Sequence, residues 1–156
     1  PFDFELLKKS IDQFGIGRNK KNKDESGFRI LVVDDADENR ILVEKYLTKK
    51  TNWHLSFATN GLEAYELFSQ NEFDAVLMDI NMPECSGVEA VQKIRQYEVQ
   101  QQRSPIPVIA LSATSQEKLV QDYLNAGFTS HLVKPIFKYN LLEFIHEAIE
   151  RPQKAA

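Results

Sequence analysis

The sequence predicts an α/β fold, a doubly wound five-stranded parallel sheet with helices on both faces, preceded by an N-terminal helix. From residue 28 onwards, short apolar runs alternate with segments whose apolar residues recur at helical spacing, and this pair of patterns occurs five times. Four of the runs are almost continuously apolar, which is typical of strands buried on both faces of a parallel sheet. The chain of 156 residues is long enough for one such domain with a short appendage.

The five β/α units follow one another along the chain, and turn residues separate them. The predicted strands cover residues 28–33, 53–58, 73–78, 106–111 and 131–133. Each is followed by a helix with one face that carries, in order, Asn39, Leu42, Val43, Tyr46 and Leu47; Leu62, Tyr65 and Phe68; Val88, Val91 and Ile94; Leu119, Val120, Tyr123 and Leu124; and Leu141, Leu142, Ile145 and Ile149. Asp37 is expected to cap the first helix, Asn60-Gly61 to form the turn before the second, and Gly127 to end the fourth.

The start of the chain differs in pattern from the rest. About three turns of amphipathic helix are predicted by apolar residues at helical spacing, namely Phe4, Leu7, Ile11 and Phe14. A polar linker over 18–27 follows. We therefore divide the chain into the helix and linker (1–27), the α/β domain (28–150) and a tail (151–156). Because the chain begins with Pro1 and not with methionine, we expect it to be either processed or a piece of a longer protein. The helix is then either a remnant between two domains or a docking or dimerising element, and a homodimer stays open.

Composition narrows the classes of function. The net charge of −4 does not favour nucleic acid as a direct partner. No apolar run approaches the roughly 18 residues that span a bilayer, so no direct membrane contact is expected. The single cysteine, Cys85, excludes an intrachain disulfide and agrees with a reducing compartment. We expect a cytoplasmic protein, or the cytoplasmic part of a membrane-anchored parent.

Polar side chains directly follow four of the predicted strands: Asp34 and Asp35, Asp79, Ser112, and Lys134. Because the carboxyl ends of parallel strands lie at one edge of a sheet, we expect these groups to share a pocket. Three crowded carboxylates repel one another, and Mg²⁺, which prefers oxygen ligands, removes that repulsion. The Asp79 carboxylate can attack phosphorus to give an aspartyl-phosphate, while Lys134 and the Ser112 hydroxyl stabilise the developing charge.

These strand-end motifs carry a resemblance to a known family. The sequence ILVVDD at 30–35, LMDINMP at 77–83, ALSA at 110–113 and KPI at 134–136 resembles the receiver domain of two-component response regulators over 28–150. These motifs are most similar to the motifs of receivers in hybrid histidine kinases. The resemblance implies a flavodoxin-like receiver fold and a signalling phosphoacceptor domain, not an enzyme, that assists its own phosphotransfer. Its partner would be a histidine kinase or a histidine phosphotransfer protein, and its full-length parent could be a hybrid histidine kinase.

The resemblance also implies a role for each site residue. Asp79 would be the phosphoacceptor. Asp35 and Asp79 would bind Mg²⁺ directly, together with the main-chain carbonyl of Asn81, and Asp34 would act mainly through metal-bound water. Lys134 would pair with the phosphate, and the bond from Lys134 to the following Pro135 would be cis, which proline makes accessible.

The switch residues implied by the resemblance are Ser112 and His131. Ser112 would hydrogen-bond the phosphoryl group. His131 stands three residues before Lys134, where the family usually has Tyr or Phe. An imidazole can still move between buried and exposed positions, and its charge can change near neutral pH. We therefore expect signalling to survive with a weaker tie to aromatic burial.

Two other functions use related chemistry. A haloacid-dehalogenase-type phosphatase also combines a nucleophilic aspartate, a hydroxyl, a lysine and Mg²⁺. That family needs an acid two residues after the nucleophile, where Asn81 stands here, and its acidic pair comes late in the chain rather than at Asp34 and Asp35. A flavin mononucleotide binder of flavodoxin-like fold needs a hydroxyl-rich phosphate loop after the first strand, where the acidic stretch 34–38 would repel phosphate.

Overall fold

The computed structural model describes residues 27–48 and 52–150. Five strands form one sheet in the order β2-β1-β3-β4-β5, and every neighbouring pair is parallel. The strands are β1 (Arg29–Val33), β2 (His54–Ala58), β3 (Ala75–Asp79), β4 (Val108–Ser112) and β5 (Ser130–Val133). The predicted doubly wound parallel sheet is therefore confirmed. The predicted N-terminal helix and the tail lie outside the described residues.

Helices follow the strands in alternation, as predicted. They are α1 (Asp37–Thr48), α2 (Gly61–Gln70), α3 (Gly87–Gln100), α4 (Glu117–Ala126) and α5 (Lys138–Glu150). The prediction that Asp37 caps α1 is wrong, because the helix already begins at Asp37. Its carboxylate instead pairs with Arg40 one turn later, as acidic and basic residues at this spacing commonly do on a helix.

The two faces of the sheet build two separate cores, since side chains alternate along a strand. In β1, Ile30 and Val32 face the core covered by α1 and α5, whereas Leu31 and Val33 face the core covered by α2, α3 and α4. All four of these side chains are at most 1% exposed. Burial on both faces explains why β1 is apolar at every position after Arg29.

Local capping sets where α2 and α3 begin, at the carboxyl edge of the sheet. Asn60 precedes α2, and its side-chain oxygen accepts from the Glu63 amide at 2.9 Å. Ser86 precedes α3 and accepts from the Glu89 amide at 3.3 Å. Both caps satisfy backbone donors that the helix itself leaves unpaired. They fix where the loops after β2 and β3 end.

A buried ion pair fastens the opposite, amino edge of the sheet. Arg95 and Glu98 of α3 are each 1% exposed and lie 2.8 Å apart. The Arg95 guanidinium also donates to the carbonyls of Ile106 and Gly127, each at 2.9 Å. Glu98 accepts from the Ile106 amide at 3.0 Å. The pair thus ties α3 to the segments that lead into β4 and β5.

Candidate functional site

Three carboxylates meet at the carboxyl edge of the sheet, between β1 and β3. Val33 pairs with Met78 in the parallel register, so Asp34 and Asp79 extend from neighbouring strands at the same level. Asp34 and Asp79 are 2% and 5% exposed, while Asp35 is exposed. Each of the three offers a ligand atom, and these atoms lie within 4.8 Å of one another. The predicted acidic pocket is therefore present.

Lys134 bridges the two buried carboxylates. Its Nζ lies 3.2 Å from Asp34 Oδ2 and 3.3 Å from Asp79 Oδ1. The main-chain amide of Lys134 donates to the carbonyl of Ser112 at 2.8 Å, which anchors the residue at the end of β4. The peptide bond from Lys134 to Pro135 is cis, as expected. The Lys134 ammonium group thus partly offsets the negative charge of the acidic cluster.

The Asp34 carboxylate has two further partners on its own side of the site. Asn39 Nδ2 donates to both carboxylate oxygens, at 3.2 and 3.0 Å. The Ala36 amide donates to Oδ1 at 2.9 Å. The main chain is held as well, since Arg40 Nη1 donates to the Asp34 carbonyl at 2.6 Å. Asn39 and Arg40 were not predicted as site residues, although their place in the first helical turn after the acidic pair is a usable signal.

The environment of Asp79 disfavours its ionised form. Burial is the main cause and raises the pKa of the Asp79 carboxyl above its ordinary value, and the nearby charge of Asp34 raises the pKa further. Lys134 and the Asn81 amide, which donates to Asp79 Oδ1 at 3.3 Å, oppose this shift. Any added positive charge near Asp79 therefore stabilises the ionised form of its carboxylate.

Ser112 and His131 are linked through the backbone of Thr114. The Thr114 amide donates to Ser112 Oγ at 3.0 Å, and His131 Nε2 lies 3.1 Å from the Thr114 carbonyl. Ser112 ends β4 and is buried, while His131 on β5 is half-buried. A movement of the loop at Thr114 therefore reaches both side chains.

The donor set fits a hard divalent cation. Carboxylate oxygens are the ligands that Mg²⁺ prefers, and a cluster of like charges in which Asp34 and Asp79 are buried favours a counter-ion. Asp34, Asp35 and Asp79 each offer one ligand atom to a cation bound within this cluster. Asn81 follows Asp79 by two residues in an exposed position of the loop, and its main-chain amide donates to Asp79 Oδ1 at 3.3 Å.

The start of α3 packs tightly against the main chain of Asp79. A Cβ atom added to Gly87 would lie 2.3 Å from the Asp79 carbonyl oxygen. The Gly87 amide donates to the Ile80 carbonyl at 3.1 Å. Only a residue without a side chain allows α3 to start this close to the end of β3.

The side chains of His146 and Cys85 lie outside the site. His146 is on α5, where its ring packs against Phe28 and Trp53 with centroid distances of 5.6 and 5.4 Å. These contacts support a structural role. Cys85 is buried in the loop before α3, and burial raises the pKa of its thiol.

Within 27–48 and 52–150, none of the helices combines the length and the apolar character that crossing a bilayer requires.

Comparison with known proteins identifies the family. The model of the response regulator receiver domain matches residues 30–146. The chemotaxis protein CheY of Bacillus subtilis is 35% identical over 121 residues, which cover 78% of this chain and 97% of that protein. Two hybrid signal transduction histidine kinases of Dictyostelium discoideum match at 36% and 38% identity, but the chain spans only 6% and 5% of their length.

Solved structures agree in fold. The receiver domain of the sensor histidine kinase PA1611 from Pseudomonas aeruginosa, with magnesium coordinated in its active-site cleft, is 27% identical with a TM-score of 0.71 over 80% of this chain and 99% of that one. A chain in the co-crystal of the Saccharomyces cerevisiae phosphotransfer protein Ypd1 with the Ssk1 receiver is 26% identical, with a TM-score of 0.75 over 80% and 90%. The haloacid dehalogenase alternative gains no support. Motifs, sheet order and acidic edge agree, and this chain belongs to the response regulator receiver domain family of two-component signalling.

Proposed function

We propose that the chain accepts a phosphoryl group from a phosphohistidine onto the carboxylate of Asp79. The observation that carries the proposal is the placement of Asp79. It is 5% exposed at the open edge of the sheet, 3.3 Å from Lys134 Nζ and beside two further carboxylates. This combines a nucleophile with positive charge where negative charge develops.

Each site residue has a defined part in the transfer. Asp35, Asp79 and the Asn81 carbonyl would hold Mg²⁺, which supplies charge neutralisation for the carboxylates and the phosphoryl oxygens when bound. A carboxylate oxygen of Asp79 forms the new bond to phosphorus as the bond from phosphorus to the imidazole nitrogen breaks. The imidazole leaves with the electron pair of that bond and takes up a proton. Lys134 exchanges its carboxylate partner for a phosphoryl oxygen.

The new phosphoryl group then changes the surface through Ser112. Its hydroxyl leaves the Thr114 amide for a phosphoryl oxygen, and the loop at Thr114 moves with it. His131 follows because its ring is bound to the Thr114 carbonyl. This is a two-state shift driven by the added negative charge and its pairing. Replacing His131 with Tyr and with Ala tests the step, because identical phosphorylation-dependent NMR shifts in all three proteins would contradict a switching role.

The proposal extends to a partner and a cellular setting. We infer that the phosphodonor is a histidine kinase or a histidine phosphotransfer protein, as the similarity to the complex of Ypd1 with the Ssk1 receiver supports. The similarity to receivers of histidine kinases supports a longer parent in which residues 28–150 form the receiver. Such a domain works on the cytoplasmic side, binds no nucleic acid itself and turns over no substrate beyond its own phosphoryl group.

The test is intact mass after incubation with a small phosphodonor, with and without Mg²⁺. We expect the wild type to gain one phosphoryl group in the presence of Mg²⁺ and Asp79→Asn to gain none. Asp74→Asn is the matched control, since Asp74 is also 5% exposed but binds the Arg29 main chain at the other edge of the sheet. Labelling that survives in Asp79→Asn would refute the assignment, and steady release of phosphate at enzymatic turnover would favour a phosphatase.

A further inference from the structure

Asp34 is the most fully hydrogen-bonded carboxylate of the site. A carboxylate has about four acceptor positions, two on each oxygen. On Oδ1 they are taken by the Ala36 amide and Asn39 Nδ2, and on Oδ2 by Asn39 Nδ2 and Lys134 Nζ. No acceptor position of Asp34 is left over in this arrangement.

These partners differ in how easily they can leave. Ala36 and Asn39 are two and five residues away in sequence, in the loop and first turn that follow β1. Lys134 reaches Asp34 from the far side of the site and shares its ammonium group with Asp79. Its side chain is 25% exposed, so it can move toward solvent. The position held by Lys134 is therefore the one that Asp34 can exchange.

The choice of an amide at position 39 has an electrostatic consequence. An amide N–H orients the Asp34 carboxylate without adding positive charge to the pocket. A lysine or arginine there would neutralise the site and compete with an incoming cation. Asn39 thus holds the carboxylate plane fixed while keeping the full negative charge of the cluster. Partners of this kind orient metal-binding groups and tune their affinity.

From this geometry we infer that Asn39 is a positioning residue for the divalent cation site, acting through Asp34. It fixes the Asp34 carboxylate so that the exchangeable position on Oδ2 faces Asp79. Asn39 and Lys134 then act in opposite directions on cation binding, since Asn39 orients the Asp34 carboxylate toward the cation site and Lys134 occupies the exchangeable position on that carboxylate. The inference deepens the proposed function, on which it rests for the use of the cation in phosphotransfer.

The test measures Mg²⁺ binding to the unphosphorylated protein by NMR titration. Asn39→Ala and the near-isosteric Asn39→Leu both remove the amide, and we expect the dissociation constant to rise about tenfold in each. Asn71→Ala is the matched control. It removes an amide that donates at 3.0 Å to the Leu67 carbonyl at the end of α2, and we expect unchanged Mg²⁺ affinity.

A purely structural role for Asn39 predicts a different pattern. Both variants would then lose stability in urea unfolding while Mg²⁺ affinity stays within about twofold of wild type, and this result would overturn the inference. Phosphorylation gives the second readout. We expect half-maximal labelling to need about tenfold more Mg²⁺, with the wild-type rate recovered at saturation. If the wild type binds Mg²⁺ but never labels, the proposed function fails while the effect of Asn39 on binding is still measured.

Discussion

Replacing Gly87 with alanine tests whether backbone packing positions Asp79, the proposed phosphoacceptor. The added Cβ would lie 2.3 Å from the Asp79 carbonyl oxygen, 3.0 Å from Ile80 Cα and 3.1 Å from the Asp79 carbonyl carbon. Restoring ordinary contact at 3.4 Å requires the first of these distances to grow by about 1.1 Å. All three neighbours are main-chain atoms, so no side chain can rotate out of the way.

The displacement falls on the main chain of Asp79, the residue that carries the reacting carboxylate. The end of β3 is held by the Ile80 amide, which donates to the Leu111 carbonyl at 3.1 Å, so movement of Asp79 disturbs the sheet edge. A displacement of about 1 Å at a reacting group costs on the order of 100-fold in rate. Overpacking adds a stability loss of roughly 1–3 kcal/mol. We therefore expect Gly87→Ala to fold and to label about 100-fold more slowly than the wild type.

The assay is the labelling rate by intact mass at saturating Mg²⁺, with urea unfolding measured in parallel. Gly127→Ala is the matched control. Gly127 has a φ of +124°, and a Cβ there would lie 3.0 Å from Arg95 Cγ at the opposite edge of the sheet. It should lose stability yet label at the wild-type rate. Labelling of Gly87→Ala at the wild-type rate would refute the packing argument.

Three further predictions address charge. Lys134→Met should tighten Mg²⁺ binding by about tenfold or more in titrations, because removing a unit charge a few ångströms away is worth roughly 1–4 kcal/mol. The same variant should lose the phosphorylation-dependent change of the surface, because the phosphoryl group then lacks its ammonium partner. Glu98→Ala leaves the buried Arg95 charge without its 2.8 Å partner and should cost about 3–5 kcal/mol in urea unfolding, with an unchanged labelling rate. Without metal, Asp79→Asn should be more stable than the wild type at neutral pH, and the difference should vanish in acid. The raised pKa of Asp79 means that its stabilising protonated form is lost as pH rises through that pKa.

Each of these has a clear contrary result. Weaker Mg²⁺ binding in Lys134→Met would show that the ammonium group supports the cation site instead of competing with it. A loss below about 1 kcal/mol in Glu98→Ala would mean that solvent or another group compensates Arg95. An Asp79→Asn variant that is less stable than the wild type at neutral pH would show that the ionised carboxylate is favoured in the folded protein.

Much of the fold is readable in the sequence because strand burial leaves a local trace. Ile30 to Val33 are apolar at consecutive positions since both faces of β1 are covered, and the helices carry apolar residues at their own period. The strand-end position of Asp34, Asp79 and Ser112 follows from the same pattern. Parallel strands then bring these ends to one edge whatever their order in the sheet.

The sequence by itself therefore determined the fold class, the three carboxylates that cluster and the edge of the sheet at which they meet. Only the tertiary structure decided how they are held. The Asn39 amide donates to the Asp34 carboxylate, Lys134 joins Asp34 to Asp79, and Gly87 packs against the main chain of Asp79. The reason is physical: periodicity reports burial over a few residues, whereas a hydrogen bond or an ion pair between segments depends on strand register and on distances of a few ångströms.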